Sequence, residues 1–177
     1  MKKIEMIKKI LILIIFCKSF SSFGQETDLI KLKTIDSLVS IIPEKPNKED
    51  SFEIIQSSGL ITKKKFLFFK KQVGNFHENV IYKNGTIYLI KKFTNLENTS
   101  TAEYYYYNND KLIYYIKKLE KFDEDNLISK NKIFAYFDSK KLIKITGNLD
   151  FDRNEILNKS QENKSDWEKF ITQTEYK

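Results

Sequence analysis

Few residues in this chain of 177 are equipped for chemistry. His77 is the single histidine and Cys17 the single cysteine, so a histidine- or thiolate-based structural zinc site cannot be assembled from this sequence. An oxygen-ligand site has one opening: Asp150-Phe151-Asp152-Arg153-Asn154 offers side-chain oxygens at alternate positions, as a calcium loop requires. The pattern then fails. Glu155 stands at the sixth position, where the sharp turn needs glycine, and Gln161 at the twelfth, where a bidentate glutamate closes the shell. Asp152 capping a helix accounts for the same residues more simply. Asp123-Glu124-Asp125-Asn126 is acidic without ligand spacing and reads as a solvated loop. No metal and no cofactor is expected.

Catalytic frames are similarly thin. The five glycines are scattered singly, so no loop can cradle a phosphate, and no Gly-x-Ser-x-Gly elbow surrounds a serine. His77, between Phe76 and Glu78, reads as an ordinary strand-edge residue. Glycoside hydrolysis asks only for two carboxylates at the right separation. Glu78 and Glu103, at the starts of successive predicted strands, are the pair that meets that minimal condition.

The larger surplus is aromatic: 14 Phe and ten Tyr. Tyr82, Tyr88, Tyr105, Tyr107, Tyr114 and Tyr115 fall in predicted strands. Exposed tyrosine gives large contact area at low entropic cost and suits protein or sugar partners, whereas covered tyrosines stabilise a sheet through cross-strand pairs. A binding site, if the sheet has one, is expected where Tyr105, Tyr107, Tyr114 and Tyr115 stay uncovered.

These residues need elements to hold them. One strand–turn–strand pattern occurs three times between Glu78 and Gly147: around Val80 to Ile90, Tyr104 to Ile116, and Lys132 to Ile145. Asn84-Gly85 is the strongest turn signal, since both residues tolerate positive φ. Alternation sends Tyr104 and Tyr106 to one face and Tyr105 and Tyr107 to the other. Thr94 to Thr101 and residues 120–131 read as connecting loops. The copies are spaced unevenly, which argues for one antiparallel meander rather than a solenoid. Ile61 to Val73, with Phe66, Leu67, Phe68 and Phe69 between lysines, reads as a central strand buried on both faces. Residues 50–59 suit either a short capped helix or a strand.

Helices flank this sheet. Leu32, Ile35, Leu38, Val39 and Ile42 share one helical face before Pro43 and Pro46, predicting a helix over about 28–42, followed by a linker through residue 51. After Gly147, Asp152 with Glu155 opens a helical segment over about 152–174, in which Trp167 anchors the element to the sheet. Ser165 with Glu168 offers a second cap, so the segment is one interrupted helix or two short ones.

Residues 1–24 have the form of a signal peptide: a basic start at Lys2, Lys3, Lys8 and Lys9, an apolar run from Ile10 to Phe16, and Ser22 and Gly24 before Gln25. Phe16 and Lys18 around Cys17 depart from a lipoprotein signal. The whole chain carries a net charge of +7, but residues 25–177 hold 26 basic and 23 acidic side chains, a net +3. A balance this even makes no claim on nucleic acid. Without Cys17 the exported chain has no thiol and no disulfide.

Tyr107-Asn108-Asn109-Asp110-Lys111-Leu112-Ile113 and Phe137-Asp138-Ser139-Lys140-Lys141-Leu142-Ile143 resemble units in small exported proteins of Bacteroidota-type bacteria. The lysine-, isoleucine- and asparagine-rich composition and the Ser-Phe-Gly-Gln region at the expected cleavage site are similar too. Tyr82-Lys83-Asn84-Gly85 is similar in style to the Tyr-x-Asn-Gly hairpins of antitoxin-like repeat proteins. The resemblance covers roughly residues 60–147 and the leader, and implies a hairpin scaffold without a catalytic residue. The sequence thus predicts an α+β domain over residues 25–177, with an antiparallel meander of about six to eight strands and a helix at each end. It suits a periplasmic or secreted interaction module, immunity- or inhibitor-like, whose partner is another protein. A periplasmic carrier of an apolar small molecule or lipid is the alternative, and a carboxylate-based hydrolase the third class.

Overall fold

The structure, a computed structural model, describes residues 28–46, 51–66, 69–124 and 126–175. The expected signal peptide with Cys17, part of the expected linker, and Leu67, Phe68 and Asp125 lie outside the described residues. Helix α1 occupies residues 28–40. Seven strands follow: β1 (Glu53–Phe66), β2 (Phe69–Lys83), β3 (Thr86–Leu96), β4 (Thr99–Asn108), β5 (Lys111–Asp123), β6 (Asn126–Asp138) and β7 (Lys141–Gly147). They form one antiparallel sheet in chain order, and helix α2 (Arg153–Glu175) closes the fold as a continuous element. The predicted α+β meander with two flanking helices is therefore the architecture. Residues 53–66 are strand, which settles the ambiguity at 50–59.

The three matched sequence copies are the β2–β3, β4–β5 and β6–β7 hairpins, all turning at one end of the sheet. Asn84 and Gly85 take φ of 49° and 72°, and Asn109 and Asp110 take 47° and 63°. Positive φ at both central residues matches the right-handed twist of the flanking strands. Each of these hairpins then carries a bulge at the same place. Ile81 pairs with Leu89 but Tyr82 with Ile87, skipping Tyr88. Ile113 and Ile143 are skipped in the same way. A bulge re-aims side chains and adds twist. Here it gives the face under α1 an additional apolar residue from each hairpin: Tyr88, Ile113 and Ile143.

Three local expectations are corrected. Thr94–Thr101 is not a loop, because β3 and β4 continue to a two-residue turn at Glu97-Asn98. Residues 120–131 are likewise the ends of β5 and β6 around a tight turn at Glu124. Ile61 to Val73 is not a central strand but the far part of the outermost hairpin, β1–β2. At its base, Gly74 lets β2 approach β3: a Cβ there would lie 1.9 Å from the Asn95 carbonyl oxygen.

Two cores result, one on each face. On one, Val80, Ile90, Tyr105, Tyr107, Leu112, Tyr115, Ile133, Ala135 and Phe137 are buried against Ile156 and Ile171 of α2, with Trp167 and Leu157 beside them. On the other, Ile81, Leu89, Tyr106 and Ile113 are buried beneath Ile35 and Ile42. Each fully buried side chain of this size contributes about 1.5–3 kcal/mol relative to exposure. Asp152 caps α2 by accepting from the Asn154 and Glu155 amides at 2.8 and 3.1 Å, the role its position in the sequence suggests. Beyond α1 the chain stays on the sheet, where Lys91 Nζ donates to the Glu44 carbonyl at 2.6 Å.

Candidate functional site

Of the four tyrosines singled out by the sequence, three are covered. Tyr105 (0% exposed), Tyr107 (2%) and Tyr115 (1%) lie under α2. The Tyr105 and Tyr115 rings pair across strands with centroids 5.0 Å apart. Tyr115 donates to Glu103 Oε1 at 2.5 Å, and Tyr107 donates to the Ser160 carbonyl at 2.9 Å. Burial pushes all three phenols above the ordinary tyrosine range, so they remain neutral hydroxyls. The expectation that they stay uncovered fails because α2 crosses the sheet directly above them. Tyr114 is on the opposite face, half-buried between Tyr136 (4.6 Å), Tyr106 (5.6 Å) and Phe134 (6.4 Å).

Glu78 and Glu103 do share a face, but inside the strands rather than at their starts. Glu78, Lys92, Glu103 and Lys117 stand opposite one another on β2 to β5. Lys92 sits between the two acids, 3.0 Å from Glu78 Oε1, and also donates to Asn163 on α2 at 2.8 Å. Trp167 Nε1 donates to Glu78 Oε2 at 3.1 Å. Glu78 is thus engaged in seating α2, and Glu103 in accepting the buried Tyr115 hydroxyl. Among the described residues, no group of three His, Cys, Asp or Glu is arranged to hold a metal ion.

The space between sheet and α2 that a carrier would need is filled by the buried tyrosines and Phe137. Beside α2 lies a half-open cleft of about 710 Å³, lined in part by Tyr107, Asp110, Lys111, Ser139, Lys164 and Glu168. Its central charge, Lys164, is buried and paired with Asp110 at 3.1 Å and with Glu168. Burial opposes that charge, but the two acids hold the ammonium above the ordinary lysine pKa. The charge at its centre is therefore neutralised, and Leu112 and Leu157 line the cleft beside it.

A different surface is left open. α1 lies over the turn end of its face, pinned by Lys31 to Asp138 at 2.6 Å and by the Tyr136 hydroxyl to Asp36 at 3.1 Å. Further along the strands the same face carries an aromatic band from β2 to β6, all of it half-exposed. His77 stacks on Phe93 (6.2 Å), and Phe93 meets Tyr104 edge-on (5.9 Å). Tyr114 stacks on Phe134, Lys118 Nζ lies 5.2 Å from the Tyr104 ring centroid, and Lys132 Nζ lies 5.4 Å from that of Phe134. His77 is consequently not at a sheet edge: it pairs with Ser58 on one side and Phe93 on the other.

The sequence contained a usable signal for this band. In β3 to β6 the residues at alternate positions, Lys91 and Phe93, Ala102 and Tyr104, Ile116 and Lys118, Lys132 and Phe134, place aromatic and basic side chains on one face. Reading each strand separately hides it, since only the register aligns them. No helix among the described residues is long and apolar enough to cross a membrane. Compared with family models, with curated proteins and with solved structures, the chain matches none.

Proposed function

We propose that the protein is an exported, non-enzymatic interaction module that binds another protein through the aromatic–lysine band on the α1 face, as an immunity- or inhibitor-like protein does. The observation that carries this reading is the partial exposure of Phe93, Tyr104 and Phe134 on β3, β4 and β6, with lysines over the Tyr104 and Phe134 rings, on the part of this face beyond α1. Rigid aromatic side chains on a sheet are efficient anchors, because little conformational freedom is lost on binding. Lys118 and Lys132 at the band give the partner its chemistry: an apolar patch rimmed by carboxylates.

The test is isolation of the tagged protein from its producing cells beside a Phe93→Ser, Phe134→Ser double variant. The wild type retains a stoichiometric protein partner and the variant, folded by circular dichroism, loses it. A partner kept equally by both overturns the assignment to this band.

A further inference from the structure

The two outer strands of the sheet are unlike. β7 is seven residues long and carries Lys141 and Lys144, which discourage pairing with another strand. β1 is twice that length, and its only hydrogen-bonded neighbour among the described residues is β2. From Ile54 to Thr62 it holds neither a charge nor a proline, and Leu60 is 65% and Ile54 39% exposed. A long outer strand with an uncharged middle presents a row of unpaired amides and carbonyls ready for another strand.

We infer that this strand pairs with β1 of a second copy of the chain, antiparallel about a two-fold axis through Ser58, joining two sheets into one of fourteen strands. The occupant follows from the residues. An antiparallel pair about an axis normal to the sheet keeps each face continuous, so only residues of one face oppose one another. With Ser58 opposite its own copy, Glu53 stands opposite Lys63 and Ile55 opposite Ile61, all four on the α2 face. On the α1 face Gln56 opposes Leu60 and Ile54 opposes Thr62. Glu53 and Lys63 are exposed in the single chain, and the axis generates their pairing twice. Shifting the register by two residues sets Glu53 against Ile61 in one direction and Ile55 against Lys63 in the other, so this alignment alone satisfies both charge and apolar character. Beside Ile55 a groove of about 520 Å³, lined also by Phe170 and Ile171 of α2, offers the partner's Ile61 apolar neighbours. Phe170 is 49% exposed in the single chain.

Sedimentation equilibrium on the full chain tests this, with Glu53→Lys, Lys63→Glu and the double exchange. The wild type is a dimer. Each single reversal weakens the dimer by roughly ten-fold, because the axis repeats it at both ends, and the double exchange restores wild-type association. Opposed residues on paired strands lie about 4.5–5.5 Å apart at Cα, within disulfide reach. A Ser58→Cys substitution in a Cys17→Ser background therefore gives an oxidised, covalently linked dimer, and Ser100→Cys in that background does not. A monomeric wild type, or a double exchange that remains as weak as the single variants, overturns the inference.

Discussion

The Tyr107 hydroxyl donates to the Ser160 carbonyl at 2.9 Å and accepts from the Ser160 hydroxyl at 3.0 Å, joining the end of β4 to α2. Both residues are almost wholly buried. Tyr107→Phe keeps the ring and strands the Ser160 hydroxyl. The expected cost is about 1–3 kcal/mol in urea unfolding, and Tyr107→Phe with Ser160→Ala recovers part of it. A double variant that loses the sum of the two single effects would show that the hydroxyls do not act together.

Alkaline pH tests the buried phenols as a set. Burial raises Tyr105, Tyr107, Tyr114 and Tyr115 above 10.0, and pushes Tyr106 up to about 12. A phenol whose folded pKa exceeds its unfolded value favours the folded state fully below the unfolded value. That stabilisation is lost as pH rises through the folded pKa, because the unfolded chain ionises first. The urea midpoint is expected to hold steady with respect to these groups up to about pH 10 and to fall beyond it. Phenolate absorbance should show that part of the tyrosine set ionises only with unfolding. A midpoint unchanged up to pH 12 would contradict the burial of these hydroxyls.

Two glycines separate local strain from steric exclusion. Gly85 has φ of 72° with open space where a Cβ would stand, so Gly85→Ala costs only conformational strain, about 1 kcal/mol. Gly74→Ala drives a methyl group to 1.9 Å from the Asn95 carbonyl oxygen and must part β2 from β3. Thermal unfolding should place the Gly74 variant well below the Gly85 variant. Equal losses would mean that β2 and β3 do not approach so closely.

Much of the fold was readable because local signals agreed. Asn84-Gly85 and Asn109-Asp110 announce their turns, and alternation placed Tyr104 and Tyr106 opposite Tyr105 and Tyr107, as their two cores confirm. Two turns carry no such signal: Glu97 and Glu124 take φ of 43° and 51°, a conformation that glutamate does not advertise. Alternation and turn chemistry alone therefore make loops of these two connections. The candidate site was less legible than the fold, because it is defined by what the helices leave open. Whether Tyr105 or Tyr104 meets solvent depends on where α1 and α2 settle, and that is fixed by distant pairs such as Lys31 with Asp138 and Trp167 with Glu78. The bulges at Tyr88, Ile113 and Ile143 are also invisible to alternation, yet they set which residues α1 covers.

The aromatic band carries little of the fold's stability if its residues serve recognition. Phe93 and Phe134 are half-exposed, so each change to serine is expected to cost about 1 kcal/mol, against about 3–5 kcal/mol for Phe137→Ala in the core. Urea unfolding of the three variants gives the ordering directly. A Phe93 variant as unstable as the Phe137 variant would mark the band as core.

Photo-crosslinking in the producing cells tests the proposed binding face most directly, with a benzophenone amino acid placed at Phe93 or at Thr101. These positions lie on the α1 and α2 faces respectively. The account predicts a discrete adduct with a second protein species from position 93 and none from position 101. An adduct from Thr101 alone, or none from Phe93, would contradict it.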